Sequence, residues 1–189
     1  MTAFAGVMSP GFSVLAEGLG AYDQALRDKA AEYGAARFAD IQARTAHSWD
    51  APVRIADVRV FDPETEALSE LVSVVIEGER IAADDAADAR GEGEELIDGP
   101  GGSLIAGLSE MHAHLGEGSA VLNIAAGVTS VRDMGNNNEV LDALVDEIEA
   151  GRVAGPRVFR SGFIEGKSPF NSNSGVLVET EEEAVEAVR

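Results

Sequence analysis

Apolar residues along this chain recur first at helical spacing and then at strand spacing. Tyr22, Leu26, Ala30 and Tyr33 fall near one face of a helix, and Phe38 and Ile41 continue it less regularly, so one or two packing helices are expected from about Tyr22 to Thr45. His47, Trp49 and Pro52 close that segment, and the lone His47 reads as a surface or structural residue. From Val53 the period shortens to that of strands. VRIADVRVFD reads as a strand, DPETEA as a turn, LVSVVIEGERIAA as a hairpin bending at Gly78, and EELIDGPGG as a short strand before a glycine turn. The acidic stretch AADDAADARGEGEE between them reads as a loop.

Ser103 to Leu108 is a short apolar run bounded by Gly101 and Gly102 before it and by Gly116 and Gly118 after it, the pattern of a buried strand ending in a loop. Beyond it strands and helices alternate. GVTSVRDMG is β-branched and ends in an Asn-rich turn. Asn136 with Glu139 has the form of a capping box, and Val140, Leu141, Leu144 and Ile148 make an apolar helical stripe ended by Gly151. PRVFRSGFIEG is the next strand and KSPFNSNSG a long loop. Thr180 with Glu183 opens a last capped helix, and the acidic run Glu179 to Glu183 is its N-terminus, where carboxylates oppose the dipole. This alternation predicts an α/β fold with a parallel sheet, either doubly wound or a (β/α)8 barrel.

Composition narrows the function. The chain has 189 residues, 45% hydrophobic and 25% charged, with a formal net charge of −20 and a pI near 4.3. Nucleic acid and anionic membranes are poor partners for such a surface, because phosphate binding needs clustered Lys and Arg. There is no cysteine, which excludes disulfides, thiolate zinc sites and cysteine nucleophiles. The N-terminal stretch has no basic residue before its apolar part and is interrupted by Pro10, Gly11, Glu17 and Gly18. Neither a signal peptide nor a membrane span is expected, so the expected compartment is the cytoplasm.

Two of the three histidines, His112 and His114, are separated by one alanine directly after the apolar run. Positions i and i+2 share a face on a strand and diverge on a helix, so both imidazoles can grip one ion only if this segment is extended. Imidazole pairs suit Zn²⁺ and related divalent ions, and zinc takes at least three protein ligands. Alone, the pair is also consistent with two hydrogen-bonding residues at a strand end. Its placement at the C-terminal end of a parallel strand is where α/β folds build their sites. Asp133 and Asn136, at the end of the next strand, and Glu165, after the third, are candidate pocket residues at the same rim. A turn-stabilising or capping role stands beside the pocket role for the first two, and a solvated position for Glu165 and Lys167.

The order of a β-domain strand pair, IDGPGGSLIAGLSEMHAHLG and GVTSVRDMG resembles the metal-dependent amidohydrolase superfamily. PRVFRSGFIEGKSPFNSNSG is similar to its imidazolonepropionase and Xaa-Pro dipeptidase branch. The resemblance covers roughly Val53 to Arg189. It implies a (β/α)8 barrel beside a composite β-sandwich, His112 and His114 as metal ligands with Ala113 facing away, and hydrolysis of a carbon–nitrogen amide bond by a metal-activated water. It also implies one or two divalent ions, zinc first among them, and a small-molecule or dipeptide-like amide substrate, and it leaves room for oligomerisation. Glu110 stands where the family usually has Asp, and Ala106 where it often has Pro.

The expected organisation is a helical segment at 1–52, a β-sandwich part at 53–102 and the first three β/α units of a barrel at 103–189. Such a barrel takes about 250 residues, far more than Ser103 to Arg189 provides. The barrel is therefore expected to be incomplete here, the chain to be an N-terminal fragment or the product of a broken gene, and the fragment to hold no catalytic residue and to lack activity alone. The alternative is a non-catalytic α/β binding module or gene remnant.

Overall fold

The computed structural model describes residues 6–8, 13–171 and 175–189. It divides into two compact units, Met1–Ala46 with Leu108–Arg189, and His47–Gly107.

The first unit opens with a short antiparallel pair, β1 (Gly6–Met8) and β2 (Ser13–Leu15), followed by helix α1 (Asp23–Thr45). The helical spacing from Tyr22 does produce one long helix, but none of its residues is buried: Tyr22 and Tyr33 are exposed, while Leu26, Phe38 and Ile41 are half-buried and the Phe38 ring packs over Gly118. The side-chain amide of Gln42 adds a polar tie between α1 and the unit. It donates to the Arg152 carbonyl and accepts from the Ala154 N–H at 2.8 Å, satisfying two backbone groups of a loop that no ladder reaches.

The second unit is one mixed sheet. Its centre is β3 (Val53–Asp62), which pairs antiparallel with β4 (Ala67–Leu68) and β5 (Val72–Glu77), while β5 continues antiparallel to β6 (Arg80–Ala86). Along its other side β3 runs parallel to β7 (Glu95–Leu104). Val53, Ala56, Val58, Val74 and Val75 are buried. The expected acidic loop begins later than the composition suggests, because Ala82 to Ala86 belong to the edge strand β6. An edge strand tolerates exposed Asp84, and charge there discourages pairing with other chains.

The expected glycine turn of DGPGG lies inside β7. Ala56 pairs with Asp98 but Val58 with Gly102, so the intervening Gly99, Pro100 and Gly101 bulge out of register. Proline, lacking an N–H, suits a bulge, and a Cβ on Gly99 would stand 2.2 Å from Val58 Cγ1.

The chain then returns to the first unit. The apolar run Ser103 to Leu108 is not one buried strand. It spans the end of β7 and the start of β8 (Leu108–Ala113), and Ile105 and Leu108 are exposed. Helix α2 (Glu117–Ala125), strand β9 (Val128–Asp133), helix α3 (Asn138–Glu149) and strand β10 (Arg157–Arg160) follow. β8, β9 and β10 form a parallel three-stranded sheet with β9 in the centre. Leu141, Leu144 and Val145 of α3 pack with Val131, Leu115 and Ala120, while Ala113, Val128, Ile148 and Val158 border this core.

PRVFRSGFIEG is two strands, β10 and β11 (Ile164–Gly166), separated by Gly162. β11 pairs in parallel with β12 (Val176–Val178) as a separate two-stranded sheet. Three residues of the expected loop KSPFNSNSG lie outside the described residues. Helix α4 (Glu181–Ala187) starts at the expected box: Thr180 Oγ1 accepts from the Glu183 N–H, and the Glu183 carboxylate accepts from the Thr180 N–H, each at 3.2 Å. No helix among the described residues is long and apolar enough to cross a membrane.

Candidate metal-binding strand end

His112 is the penultimate residue of β8 and His114 the first residue after it. Ala113 borders the core while both imidazoles are exposed, the alternation an extended backbone imposes. Their ring centroids lie 5.4 Å apart with the planes at 69°. With metal–nitrogen bonds of about 2.0–2.1 Å, two imidazoles on one tetrahedral ion have centroids about 5 Å apart. The spacing is compatible with one shared ion and equally with an edge-to-face ring contact.

Hydrogen bonding gives the two rings different support. His114 Nδ1 lies 2.6 Å from the carbonyl oxygen of Gly135. A carbonyl only accepts, so Nδ1 carries the proton and Nε2 carries the lone pair. A ligating histidine typically donates its other ring N–H to a carbonyl or carboxylate in this way, which fixes the tautomer and makes the ligand more basic.

His112 is positioned through its backbone. The β8–β9 register shifts between Glu110 and Ala113, and a bulge of this kind leaves backbone groups out of the ladder. Side chains take them up. The Glu110 carboxylate accepts from the His112 N–H at 2.8 Å, and Arg132 Nε donates to the Met111 carbonyl at 3.1 Å. Glu110 thus holds the backbone of the first histidine.

Asp133 ends β9 and is 1% exposed. Its Oδ2 accepts from the Leu115 N–H at 2.7 Å and from Asn136 Nδ2 at 3.0 Å, and its Oδ1 accepts from the Gly135 N–H at 3.0 Å. Asn136 Nδ2 also donates to the Leu115 carbonyl at 2.8 Å. The expected capping box shifts by one residue: Asn137 is the N-cap of α3, its side chain accepting from the Val140 N–H, because the Asn136 amide is committed to the strand ends. Glu165 lies on β11, opposite Leu177 of β12, and is half-buried. Lys167 pairs with Glu179 on the surface.

Sequence reasoning passed over Arg132 and Gly135. Gly135 is buried at φ +152, and a Cβ there would meet Phe163 Cβ at 3.0 Å. A glycine two residues after a strand-end aspartate is a turn signal, and here that turn delivers the carbonyl that meets His114. Among the described residues no group of three or more His, Asp or Glu side chains could hold a metal ion.

The sequence matches no protein-family model, and no curated protein is significantly similar to it. Solved structures do match. A prolidase candidate from Bifidobacterium longum superposes with a TM-score of 0.61 at 23% identity, over 72% of this chain and 37% of that one. A Xaa-Pro dipeptidase with methionine bound in its active site gives 0.56 at 24% identity, over 74% of this chain and 44% of that one. This chain shares the fold of the matching part of these structures. A protein described as an amidohydrolase gives 0.57 at 20% identity, over 73% of this chain and 43% of that one. The chain thus spans less than half the length of each of these proteins, and at these identities the likeness carries the fold.

Proposed function

We propose that this chain carries the first strands of a metal-dependent amidohydrolase, with His112 and His114 as two ligands of a divalent ion at the end of β8. On this reading β8, β9 and β10 are the first strands of a (β/α)8 barrel, residues 103–189 are its opening units, and residues 53–102 belong to a composite β-sandwich, with the helical segment 1–52 ahead of it. The observation that carries the proposal is the adjacent imidazole pair at the strand end, with Nδ1 of His114 already committed to the Gly135 carbonyl. Imidazole nitrogens suit zinc, as they do copper, iron and nickel, and zinc is the ion proposed.

Bound there, the ion would supply Lewis-acid activation of a water and of an amide carbonyl. The chain's own residues do the rest of what is proposed here. His114 presents Nε2, the Glu110 and Arg132 side chains hold the bulge that aims His112, and Ala113 anchors the segment in the core. The proposed substrate is a small amide or dipeptide; a Xaa-Pro dipeptide is what the dipeptidase structure's name specifies for that protein. A catalytic zinc site takes three protein ligands and keeps an open position for water, so the 189 residues assayed alone are expected to bind the ion weakly and to turn nothing over.

Calorimetric titration of the chain with Zn²⁺ or Co²⁺ tests the reading. A single saturable site that disappears in both His112→Ala and His114→Ala is the expected result. Equal binding by wild type and both variants would end the metal reading and leave a non-catalytic α/β binding module. Measurable metal-dependent hydrolysis of Xaa-Pro dipeptides or simple amides by the 189-residue chain would overturn the expectation of inactivity.

A further inference from the structure

Three N–H donors converge on the Asp133 carboxylate, and none of them comes from solvent. Leu115 N–H and Asn136 Nδ2 meet Oδ2, and the Gly135 N–H meets Oδ1. Two of these donors bracket the histidine site. Leu115 follows His114 directly in the chain, and Gly135 supplies the carbonyl that accepts from His114 Nδ1. One buried carboxylate therefore ties the residue after the ligand to the residue that sets the ligand's tautomer. We infer that Asp133 is a positioning residue for His114: by pinning Leu115 and Gly135 it keeps the Gly135 carbonyl against Nδ1 and leaves Nε2 as the nitrogen with the lone pair. This rests on the metal reading of His114.

The chemistry of the carboxylate supports the assignment. Both oxygens are acceptors, which is what three donors arriving at both of them require. An asparagine of the same shape offers one oxygen, and its NH2 would face either the Gly135 N–H or the donors at Oδ2. At 1% exposure no water can repair that clash. The Asp133 backbone is occupied as well, because its carbonyl accepts from the Ser161 N–H at 3.0 Å and from Ser161 Oγ at 2.8 Å. The carboxylate thus sits on a segment fixed from both neighbouring strands, as a group that must position another needs to be.

The test is the tautomer of His114 in the metal-free chain, read from long-range ¹H–¹⁵N spectra with ¹⁵N-labelled histidine. It is recorded at about pH 8.5, above the ordinary imidazole value of about 6.5. His47 and His112 serve as internal references. The expected wild-type spectrum has the His114 proton on Nδ1. Asp133→Asn is expected to remove that preference, leave the other two histidines unchanged, and weaken Zn²⁺ binding by about 10-fold or more, the usual effect of losing a residue that orients a ligand. The inference is overturned if wild-type His114 carries its proton on Nε2, or if a folded Asp133→Asn keeps both the wild-type tautomer and the wild-type zinc affinity. Should that variant fail to fold, Asp133→Glu, which keeps two acceptor oxygens but displaces them, is read in its place against the same two outcomes. A zinc titration that moves neither His112 nor His114, with the Nδ1 proton in place, ends the metal reading while the hold of Asp133 on the ring stands.

Discussion

The guanidinium of Arg54 is buried between β3 and its neighbours, where an unpaired charge costs several kcal/mol and a paired one roughly breaks even. It donates to Glu94 through Nε and Nη2, and to Asp85 and Ser73 through Nη1. The hydrogen bond from Arg54, then its charge, then the Gly91 N–H hold the Glu94 carboxyl below the usual carboxylate range, and the same pairing holds Arg54 above its own. A carboxyl depressed in the folded state stabilises above its unfolded value and loses that contribution as pH falls through the folded one. Unfolding of the wild-type chain is therefore expected to become easier as pH drops below about 4.3, the ordinary glutamate value. Glu94→Gln should lower the melting temperature at neutral pH and flatten its acid dependence; melting curves that coincide with wild type at every pH would refute this. None of this was legible in the sequence, where Glu94 belongs to an acidic stretch that reads as a solvated loop. Asp133 was singled out as a strand-end residue, but its particular role was not legible: its partners are two backbone N–H groups and the Asn136 amide, brought in by folding, and a strand-end aspartate before an Asn-rich turn reads equally well as a cap.

Helix α3 shows what periodicity reveals at the scale of one element and where it stops. The stripe Val140, Leu141, Leu144 and Ile148 located the helix and its buried side, and Gly151 marked its end. The arc that packs is centred on Leu141, Leu144 and Val145, so Val140, at the N-terminal edge of the stripe, remains 63% exposed while Leu141 is 2% exposed. Leu141→Ala is expected to destabilise the chain by about 2–5 kcal/mol, and Val140→Ala by no more than about 0.5 kcal/mol. Equal losses in denaturant titrations would show that the packing of α3 differs from this arrangement. At α4 the sequence pattern and the structure agree to the residue, because a capping box is local chemistry. Thr180→Ala should lower stability by about 1 kcal/mol or less, given the exposed helix it caps, with an accompanying loss of helical circular dichroism. Boundaries set by distant pairing were not legible. The apolar run at 103–108 divides between β7 and β8 because β3 claims its first part, and Gly107 alone, read as part of the run, stands at that division.

For the whole molecule, an open sheet competes with a large charge. Among the described residues β8 and β10 are the edges of the three-stranded parallel sheet, and Leu108, Met111 and Phe159 on them are exposed. Unpaired edges with apolar side chains are templates for association. Parallel sheets are ordinarily covered on both faces, whereas the described core lies on the side of α2 and α3. Against this stands the formal net charge of −20 on 189 residues, which makes close approach of two copies unfavourable while it is unscreened. The range of that repulsion falls from about 30 Å at 0.01 M salt to about 3 Å at 1 M, and the apolar attraction does not weaken with salt. The chain is therefore expected to run as a monomer at about 0.01 M ionic strength and to associate with rising concentration at about 0.5 M and above, as measured by light scattering behind a sizing column. Adding charge at the edge should reverse the effect: Phe159→Lys is expected to shift the onset of association to higher salt, since lysine on an edge strand blocks pairing. A constant monomer mass across both salt and concentration would mean that these edges are already protected.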